Sequence, residues 1–255
     1  MPFTFSHPAI VIPIKSKWSR YFSLTGLVLG SMAPDFEYFI RFKPVGKIGH
    51  MLIGFFSLNL FMCILIAYLF HYVVKKPLIF NMPSPIDKWY YHIALDKWNI
   101  ASFKELFIFC YSSIIGMFTH VLWDGFTHVN GELVKMLPFL LNKIGIFKYK
   151  IPIYKILQHG STMAGFIIIL VFIFMKRNTT IMKIHHISPI KKIVYFSGVI
   201  LVGMAFLLYS ILYISYGIKF KYIGMYIVIL INGLFIGIII SSLISSIITN
   251  NIKRN

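Results

Sequence analysis

The chain has 255 residues, of which 58% are hydrophobic and 13% are charged. A water-soluble globule of this size needs more polar surface than such a composition provides, so the composition excludes an ordinary soluble domain and indicates an integral membrane protein. Basic residues outnumber acidic ones by 25 to 7. They lie at the ends of apolar runs, which favours membrane lipids with anionic headgroups, and not nucleic acid, as partners.

Short apolar helices are predicted before the first membrane span. Residues 22–33 form an apolar stretch that is too short to cross a bilayer, so we expect a re-entrant or interfacial helix there. Pro34 disfavours the α conformation at Ala33 and should end that helix. Asp35 then either caps a new helix or directs its carboxylate toward a neighbouring group.

Five apolar runs follow, and four of them are close to or above the roughly 20 residues needed to cross a bilayer. The third run reaches that length only if its helix begins near Ile156 and includes His159. The predicted fold is therefore all-α: a polytopic helical membrane protein with about five transmembrane helices plus short N-terminal re-entrant or interfacial helices. The predicted spans are residues 51–74, 106–123, 156–175, 193–218 and 222–248.

Polar chemistry is concentrated in the first part of the chain. Residues 1–165 contain seven of the nine histidines and every acidic residue, whereas residues 166–255 form an apolar transmembrane part. We expect the two parts to form one structural unit. Small residues in the last two spans allow close helix packing. The candidates for such contacts are Gly198, Gly203, Gly233 and Gly237.

Several polar residues lie near the start of the first span, the end of the second and the start of the third. Because the chain reverses direction at each crossing, these three ends should lie at the same membrane face. Ionisable groups at membrane depth are costly to desolvate and are usually kept where they have partners and a task. The residues predicted at this face are His7, Asp35, His50, His120, Asp124 and His159. The histidines predicted at the opposite face are His71, His92, His185 and His186.

His120 and Asp124 are four residues apart and should lie on one face of a helix. Imidazole and carboxylate at this spacing either hold a divalent ion or form a hydrogen bond that satisfies the helix end. His128 would lie on the same face as His120 and Asp124 if the helix extends through Gly125. The ion would most naturally be zinc, although manganese and iron are compatible. The metal ligands that we predict are His7, Asp35, His50, His120 and Asp124.

Four separated segments carry a further pattern. They are PFTFSHPA at residues 2–9, LGSMAPDFEY at 29–38, THVLWDGFTH at 119–128 and IYKILQHGS at 153–161. Together, and in this order, they resemble the uncharacterised bacterial membrane family called domain of unknown function 4184. The resemblance covers essentially the whole chain and implies a protein of the bacterial cytoplasmic membrane, without an assigned reaction.

The order of an early His, a Pro-Asp element, a His before an apolar helix and a His-x-x-x-Asp element is more distantly similar to YdjM-type membrane-bound hydrolases. This chain has Glu37 where those proteins carry a second Asp. The resemblance implies metal-dependent hydrolysis of an ester or phosphoester in a lipid-like amphiphile. We expect Glu37, His128 or His159 to act as general base or as an orienting group. A proton- or cation-coupled transporter and a non-catalytic membrane scaffold stay open as alternatives.

Overall fold

The computed structural model describes residues 3–18, 20–180 and 187–252. In these ranges the chain is mainly helical, and five helices are long and apolar enough to cross a membrane. The first to fifth spans are Leu52–Asn81, Phe103–Thr127, Ile153–Met175, Pro189–Ile214 and Phe220–Ile248. The prediction of an all-α polytopic membrane protein with about five spans is therefore confirmed.

Short helices precede the first span. They are α1 (Pro8–Lys17), α2 (Leu24–Met32) and α3 (Phe36–Arg41). Ser23 caps α2, since its hydroxyl accepts a hydrogen bond from the Gly26 amide at 3.2 Å. α2 ends before a 3-10 turn at Ala33–Asp35, beside Pro34 as predicted, but Ala33 keeps α-region angles of φ −60° and ψ −35°, contrary to the expected effect of Pro34 on it.

The first span is a continuous helix that contains two π-helical turns. Its segments are α4 (Leu52–Gly54), a π turn (Phe55–Asn59), α5 (Leu60–Tyr68), a second π turn (Leu69–Val74) and α6 (Lys75–Asn81). The helix continues past the predicted end at Val74, and the buried Lys75 ammonium there donates a hydrogen bond to the Asp96 carbonyl. Two short helices, α7 (Ile86–Trp89) and α8 (Tyr91–Leu95), lie in the connection that follows.

The second and third spans are joined by a short helix and a β-hairpin. The elements are α9 (Phe103–Thr127), α10 (Glu132–Met136), β1 (Lys143–Ile146), β2 (Tyr149–Pro152) and α11 (Ile153–Met175). β1 and β2 pair antiparallel. Ser102 and Glu105 form a capping box that begins α9. α11 begins directly after β2 and so includes His159, as predicted for the shortest span.

The last two spans contain α12 (Pro189–Tyr209) and α13 (Ile223–Ile252), which pack through glycines. A Cβ on Gly233 would lie 2.9 Å from the Cα of Gly203, and one on Gly237 would lie 2.8 Å from the Val199 carbonyl oxygen. These separations leave no room for a side chain. The prediction that glycines mark close helix packing here is therefore confirmed.

Contacts divide the chain into two compact units. The first comprises Met1–Phe36, Gly46–Leu65 and Ile100–Met175, and the second comprises Glu37–Val45, Ile66–Asn99 and Lys176–Asn255. These units are defined by contacts between residues. The boundary predicted at residue 165 separates a part rich in polar residues from an apolar part, and it stays a prediction. His71 lies in the second unit, where its ring stacks on Trp98 at 4.2 Å between centroids. His185 and His186 lie outside the described residues.

Candidate metal centre

In the first unit, α2 packs closely against α9. This contact brings Asp35, which follows α2, close to His120 and Asp124 on α9. A Cβ on Gly30 would lie 2.0 Å from the Ser113 carbonyl oxygen, and one on Gly116 would lie 2.5 Å from the Leu27 carbonyl oxygen. The two backbones are therefore in direct contact, which only glycine permits at these positions. The end of α2 is thereby held beside the turn of α9 that carries His120.

Asp35 lies in the 3-10 turn that follows α2 and is completely buried. Its Oδ2 accepts a hydrogen bond from the Thr4 hydroxyl at 2.6 Å, which fixes the carboxylate and leaves Oδ1 directed toward the histidines. Burial raises the pKa of Asp35, while the neighbouring His120 and the Thr4 hydrogen bond oppose that rise. A positive charge at this position would therefore stabilise the ionised carboxylate.

His120 is oriented by the carbonyl oxygen of Ser31, which lies 2.7 Å from its Nδ1. Because a carbonyl only accepts, Nδ1 carries the proton, and the neutral form of the ring presents the lone pair of Nε2. Nε2 lies 3.4 Å from Asp124 Oδ2 and 3.7 Å from Asp35 Oδ1. A backbone acceptor on the far ring nitrogen is the usual way in which proteins orient a metal-binding histidine.

His50 reaches the same position from the loop before the first span. A Cβ on Gly49 would lie 2.2 Å from the Pro34 carbonyl oxygen, so the loop lies directly against the turn that carries Asp35. The Asn59 side chain donates a 2.7 Å hydrogen bond to the Gly49 carbonyl and holds that loop. His50 Nε2 lies 3.6 Å from an oxygen of Asp35 and 3.6 Å from an oxygen of Asp124.

Four donor atoms thus lie close together. They are Nε2 of His50, Nε2 of His120, Oδ1 of Asp35 and Oδ2 of Asp124, and their four nitrogen–oxygen distances lie between 3.4 and 3.7 Å. A tetrahedron whose corners lie about 2.1 Å from its centre, as nitrogen and oxygen ligands do around zinc, has edges of about 3.4 Å. The donor set and its spacing therefore fit a divalent ion.

His7 adds a further donor beside this set. Its ring stacks on His120 with 3.8 Å between centroids, and its Nε2 lies 3.6 Å from Asp124 Oδ1. Burial lowers the pKa of His7 to about 3, and His120 acts in the same direction, so the ring is neutral at pH 7. We call His7, Asp35, His50, His120 and Asp124 the His/Asp cluster.

Several polar atoms of the His/Asp cluster are buried without a hydrogen-bond partner among the described residues. They are both ring nitrogens of His7, Nε2 of His120, Oδ1 of Asp35 and Oδ1 of Asp124. Buried polar atoms of this kind are unfavourable unless another group satisfies them. Nε2 of His120 and Oδ1 of Asp35 belong to the set of four donors, and a metal ion there would satisfy them, while the ligand roles stay a prediction.

The three residues predicted as general base or orienting group have different positions. His128 follows α9, and its Nδ1 lies 3.6 Å from Asp124 Oδ1 and 3.0 Å from the Asp124 carbonyl oxygen. Because α9 ends at Thr127, the helix continues through Gly125, as expected if His128 lies on the face of His120 and Asp124. His159 is exposed on α11 and does not join the His/Asp cluster. Glu37 is buried in the second unit, where it pairs with Arg41 at 2.7 Å.

Some residues that shape the centre were missed by sequence reasoning. Thr4 and Ser31 act through a hydroxyl and a backbone carbonyl, and neither leaves a recognisable pattern in one sequence. The close contact of α2 with α9 does leave one, since Gly26 and Gly30 form a Gly-x-x-x-Gly motif. That motif predicts a close helix contact but not its partner, Gly116.

The chain belongs to the family described as Domain of unknown function (DUF4184), whose family model matches residues 1–243. This confirms the resemblance inferred from the four motifs. No curated protein and no solved structure has significant similarity to the chain. The distant likeness to YdjM-type hydrolases stays a prediction, so function has to be argued from the residues themselves.

Proposed function

We propose that this chain is a membrane-embedded hydrolase that depends on a divalent metal ion and cleaves an ester or phosphoester bond in a lipid-like amphiphile. The observation that carries the proposal is the set of four nitrogen–oxygen distances between 3.4 and 3.7 Å. Two imidazoles and two carboxylates at this spacing suit zinc best, and manganese or iron are compatible. When bound, such an ion lowers the pKa of water and polarises the scissile oxygen.

The residues of the chain have separate tasks in this proposal. Asp35, His50, His120 and Asp124 hold the ion, and His7 is a fifth donor on the side of Asp124 Oδ1. We assign the general base to His128, because the Asp124 carbonyl oxygen holds the proton on its Nδ1 and leaves Nε2 as the proton acceptor. Its ring is partly exposed, so it can exchange a proton with solvent.

A lipid-like substrate is supported by the position of the centre along the spans. His120 and Asp124 lie in the last two turns of the second span, and the end of an apolar span lies near the lipid headgroups. The ester and phosphoester bonds of lipids are found at that depth. His50 has 31% of its side chain exposed, whereas Asp35 and His120 are buried, so a substrate would approach on the His50 side.

The site would therefore act on the lipids that surround it. Membrane lipids, including those with anionic headgroups, are the partners in this proposal, and the bacterial cytoplasmic membrane is the compartment. The excess of basic residues at the ends of the apolar runs supports the choice of anionic lipids.

Metal content and hydrolysis, measured together on detergent-purified protein, test the proposal. Asp124→Asn keeps the shape of the side chain but removes its charge, and His120→Ala removes a ligand. After exposure to zinc, both should bind less metal than the wild type and lose about 10- to 100-fold or more of their activity on a lipid phosphoester. Glu132→Gln is the matched control, because Glu132 is exposed and paired only with Lys135 in the described structure, so both readouts should be unchanged.

Each alternative has its own signature in this experiment. Wild-type protein that stays free of metal after exposure to zinc, manganese and iron would favour the scaffold. Protein that binds a cation and carries it or protons across proteoliposome membranes, without hydrolysis, would favour the transporter. In both cases the hydrolase proposal would be wrong.

A further inference from the structure

The β-hairpin formed by β1 and β2 has an apolar face and a basic face. Residues paired directly across antiparallel strands lie on the same face, and successive residues alternate between faces. Ile144 pairs with Ile151, and the alternation places Tyr149 on the same face. Lys143 and Lys150 occupy the alternate positions and lie on the other face. The hairpin is therefore amphipathic.

The tip of the hairpin carries a fully exposed aromatic side chain. Phe147 has a relative exposure of 102%, and Tyr149 and Ile144 beside it are 61% and 47% exposed. The φ angle of Phe147 is +52°, a left-handed conformation that normally favours glycine or asparagine in a two-residue hairpin loop. A large apolar residue is unfavourable there for two reasons. Its Cβ strains the left-handed backbone, and its ring exposes apolar surface to water. An apolar environment at the tip would remove the second penalty.

The hairpin is also strongly basic. Residues 128–152 contain four lysines and a single acidic residue, Glu132. Glu132 pairs with Lys135 at 2.7 Å, outside the hairpin. No ion pair with a carboxylate is found in the described structure for the other three lysines, which are Lys143, Lys148 and Lys150. Their charge is thus available to an anionic partner.

The hairpin lies at the level where a spanning helix begins. β2 ends at Pro152 and α11, the third span, begins at Ile153, so no linker separates the strand from the membrane-spanning helix. The hairpin also follows the end of α9 that carries His120 and Asp124. Lysines and aromatic residues in such a position normally contact lipid headgroups, with ammonium groups at the phosphates and rings among the upper acyl chains.

We propose that the hairpin is a lipid-binding element, which inserts Phe147 and its apolar face into the adjoining leaflet and binds the phosphates of anionic phospholipids through Lys143, Lys148 and Lys150. The partner is identified by charge complementarity and by the apolar tip together. The proposal goes beyond hydrolysis and does not depend on a metal ion, so either can fail without the other.

Fluorescence of a tryptophan at the tip tests this proposal. Phe147→Trp is reconstituted in lipid nanodiscs that contain either zwitterionic lipid alone or a mixture with phosphatidylglycerol, and the emission of the wild type with its four tryptophans is subtracted. We expect a blue-shifted emission that lipids brominated near the headgroup quench, and quenching that increases with the phosphatidylglycerol fraction. Water-like emission without quenching in both discs would overturn the proposal, and would point to solvent or to a protein partner at the tip.

Charge variants in the same reporter background test the lysines. The double substitution Lys143→Gln and Lys150→Gln should lower the apparent affinity of the hairpin for phosphatidylglycerol, read from the quenching, by about fivefold for each lysine removed. The control double substitution, Lys104→Gln and Lys135→Gln, also removes two positive charges, but outside the hairpin. Lys104 lies at the other end of α9, and Lys135 is the lysine that pairs with Glu132. It should leave the quenching unchanged. Equal effects of the two double variants would overturn the specific binding of anionic lipid by the hairpin.

Discussion

The carboxylate of Asp124 faces four imidazoles, and each of its oxygens faces a different pair. Oδ2 lies 3.6 Å from His50 and 3.4 Å from His120, whereas Oδ1 lies 3.6 Å from both His7 and His128. One oxygen therefore completes the set of four donors, and the other connects it to the two remaining histidines. For this reason a change at Asp124 should affect both metal binding and proton transfer, whereas a change at His50 should act mainly on metal binding.

Thr4→Val tests whether the carboxylate of Asp35 needs its hydrogen bond. Valine keeps the shape of threonine but removes the hydroxyl that donates to Asp35 Oδ2 at 2.6 Å. Without that donor the carboxylate can rotate away from the histidines, and its charge loses a stabilising partner. We expect about 10- to 100-fold weaker zinc binding in a competition titration with a chelating dye, the range typical for groups that orient a ligand.

Thr4→Ser is the matched control, because it keeps the hydroxyl and should bind zinc about as tightly as the wild type. Since Thr4 is buried, the thermal transition of each variant in detergent should be recorded as well. Zinc affinity that is equal in the valine and serine variants would show that Thr4 does not position Asp35.

The contact of α2 with α9 is the element that brings distant parts of the sequence into one site. Ser31 and Asp35 follow Gly30, and His120 follows Gly116 by one helical turn, so the register of this contact sets the distance between the ligands. The contact depends on small residues that let the two backbones meet. It is therefore sensitive to the addition of a single methyl group.

Gly30→Ala should disrupt this contact. The added Cβ would lie 2.0 Å from the Ser113 carbonyl oxygen, so the helices must separate. Overpacking of this kind typically costs about 1 to 3 kcal/mol of folding free energy. We expect a lower thermal transition temperature in detergent, and weaker zinc binding because His120 moves away from Ser31 and Asp35.

Gly160→Ala provides a comparison on α11. A Cβ there meets nothing within 4 Å, and alanine favours a helix more than glycine does. This variant should be as stable as the wild type or slightly more stable, with unchanged zinc binding. If both glycine variants behave alike, the close approach of α2 to α9 does not determine the geometry of the centre.

The sequence allowed some elements to be predicted and left others hidden, for physical reasons. Hydropathy located the five spans, and Pro34 located the end of α2, because bilayer thickness and the missing amide hydrogen of proline act locally. The β-hairpin was not predicted, since its Phe147–Lys148 loop lacks the glycine or asparagine that usually marks such a turn. The pairing of α2 with α9 depends on two separated segments, which one sequence cannot align.

At the scale of the whole molecule, the candidate site was predicted by an argument from topology and not from motifs alone. Alternating crossings place the ends of the first three spans that carry polar residues at one face, and five of the six residues predicted there form the His/Asp cluster. His159 is the exception, because it lies on an exposed side of α11. Topology predicts the membrane face on which a residue lies, but the rotation of its helix decides whether it reaches the centre.

The five-span topology predicts the sidedness of each connection. Reporter fusions after Lys47, Asn130 and Tyr216 should all report the compartment of the His/Asp cluster, because an even number of spans separates these positions. A fusion after Lys97, between the first and second spans, should report the opposite compartment, and one after Thr179, between the third and fourth, should agree with it. If the fusions after Lys97 and Asn130 report the same compartment, then α9 does not cross the membrane. His120 and Asp124 would then no longer lie near a membrane surface at the end of a span, and the argument for a lipid substrate would lose its basis.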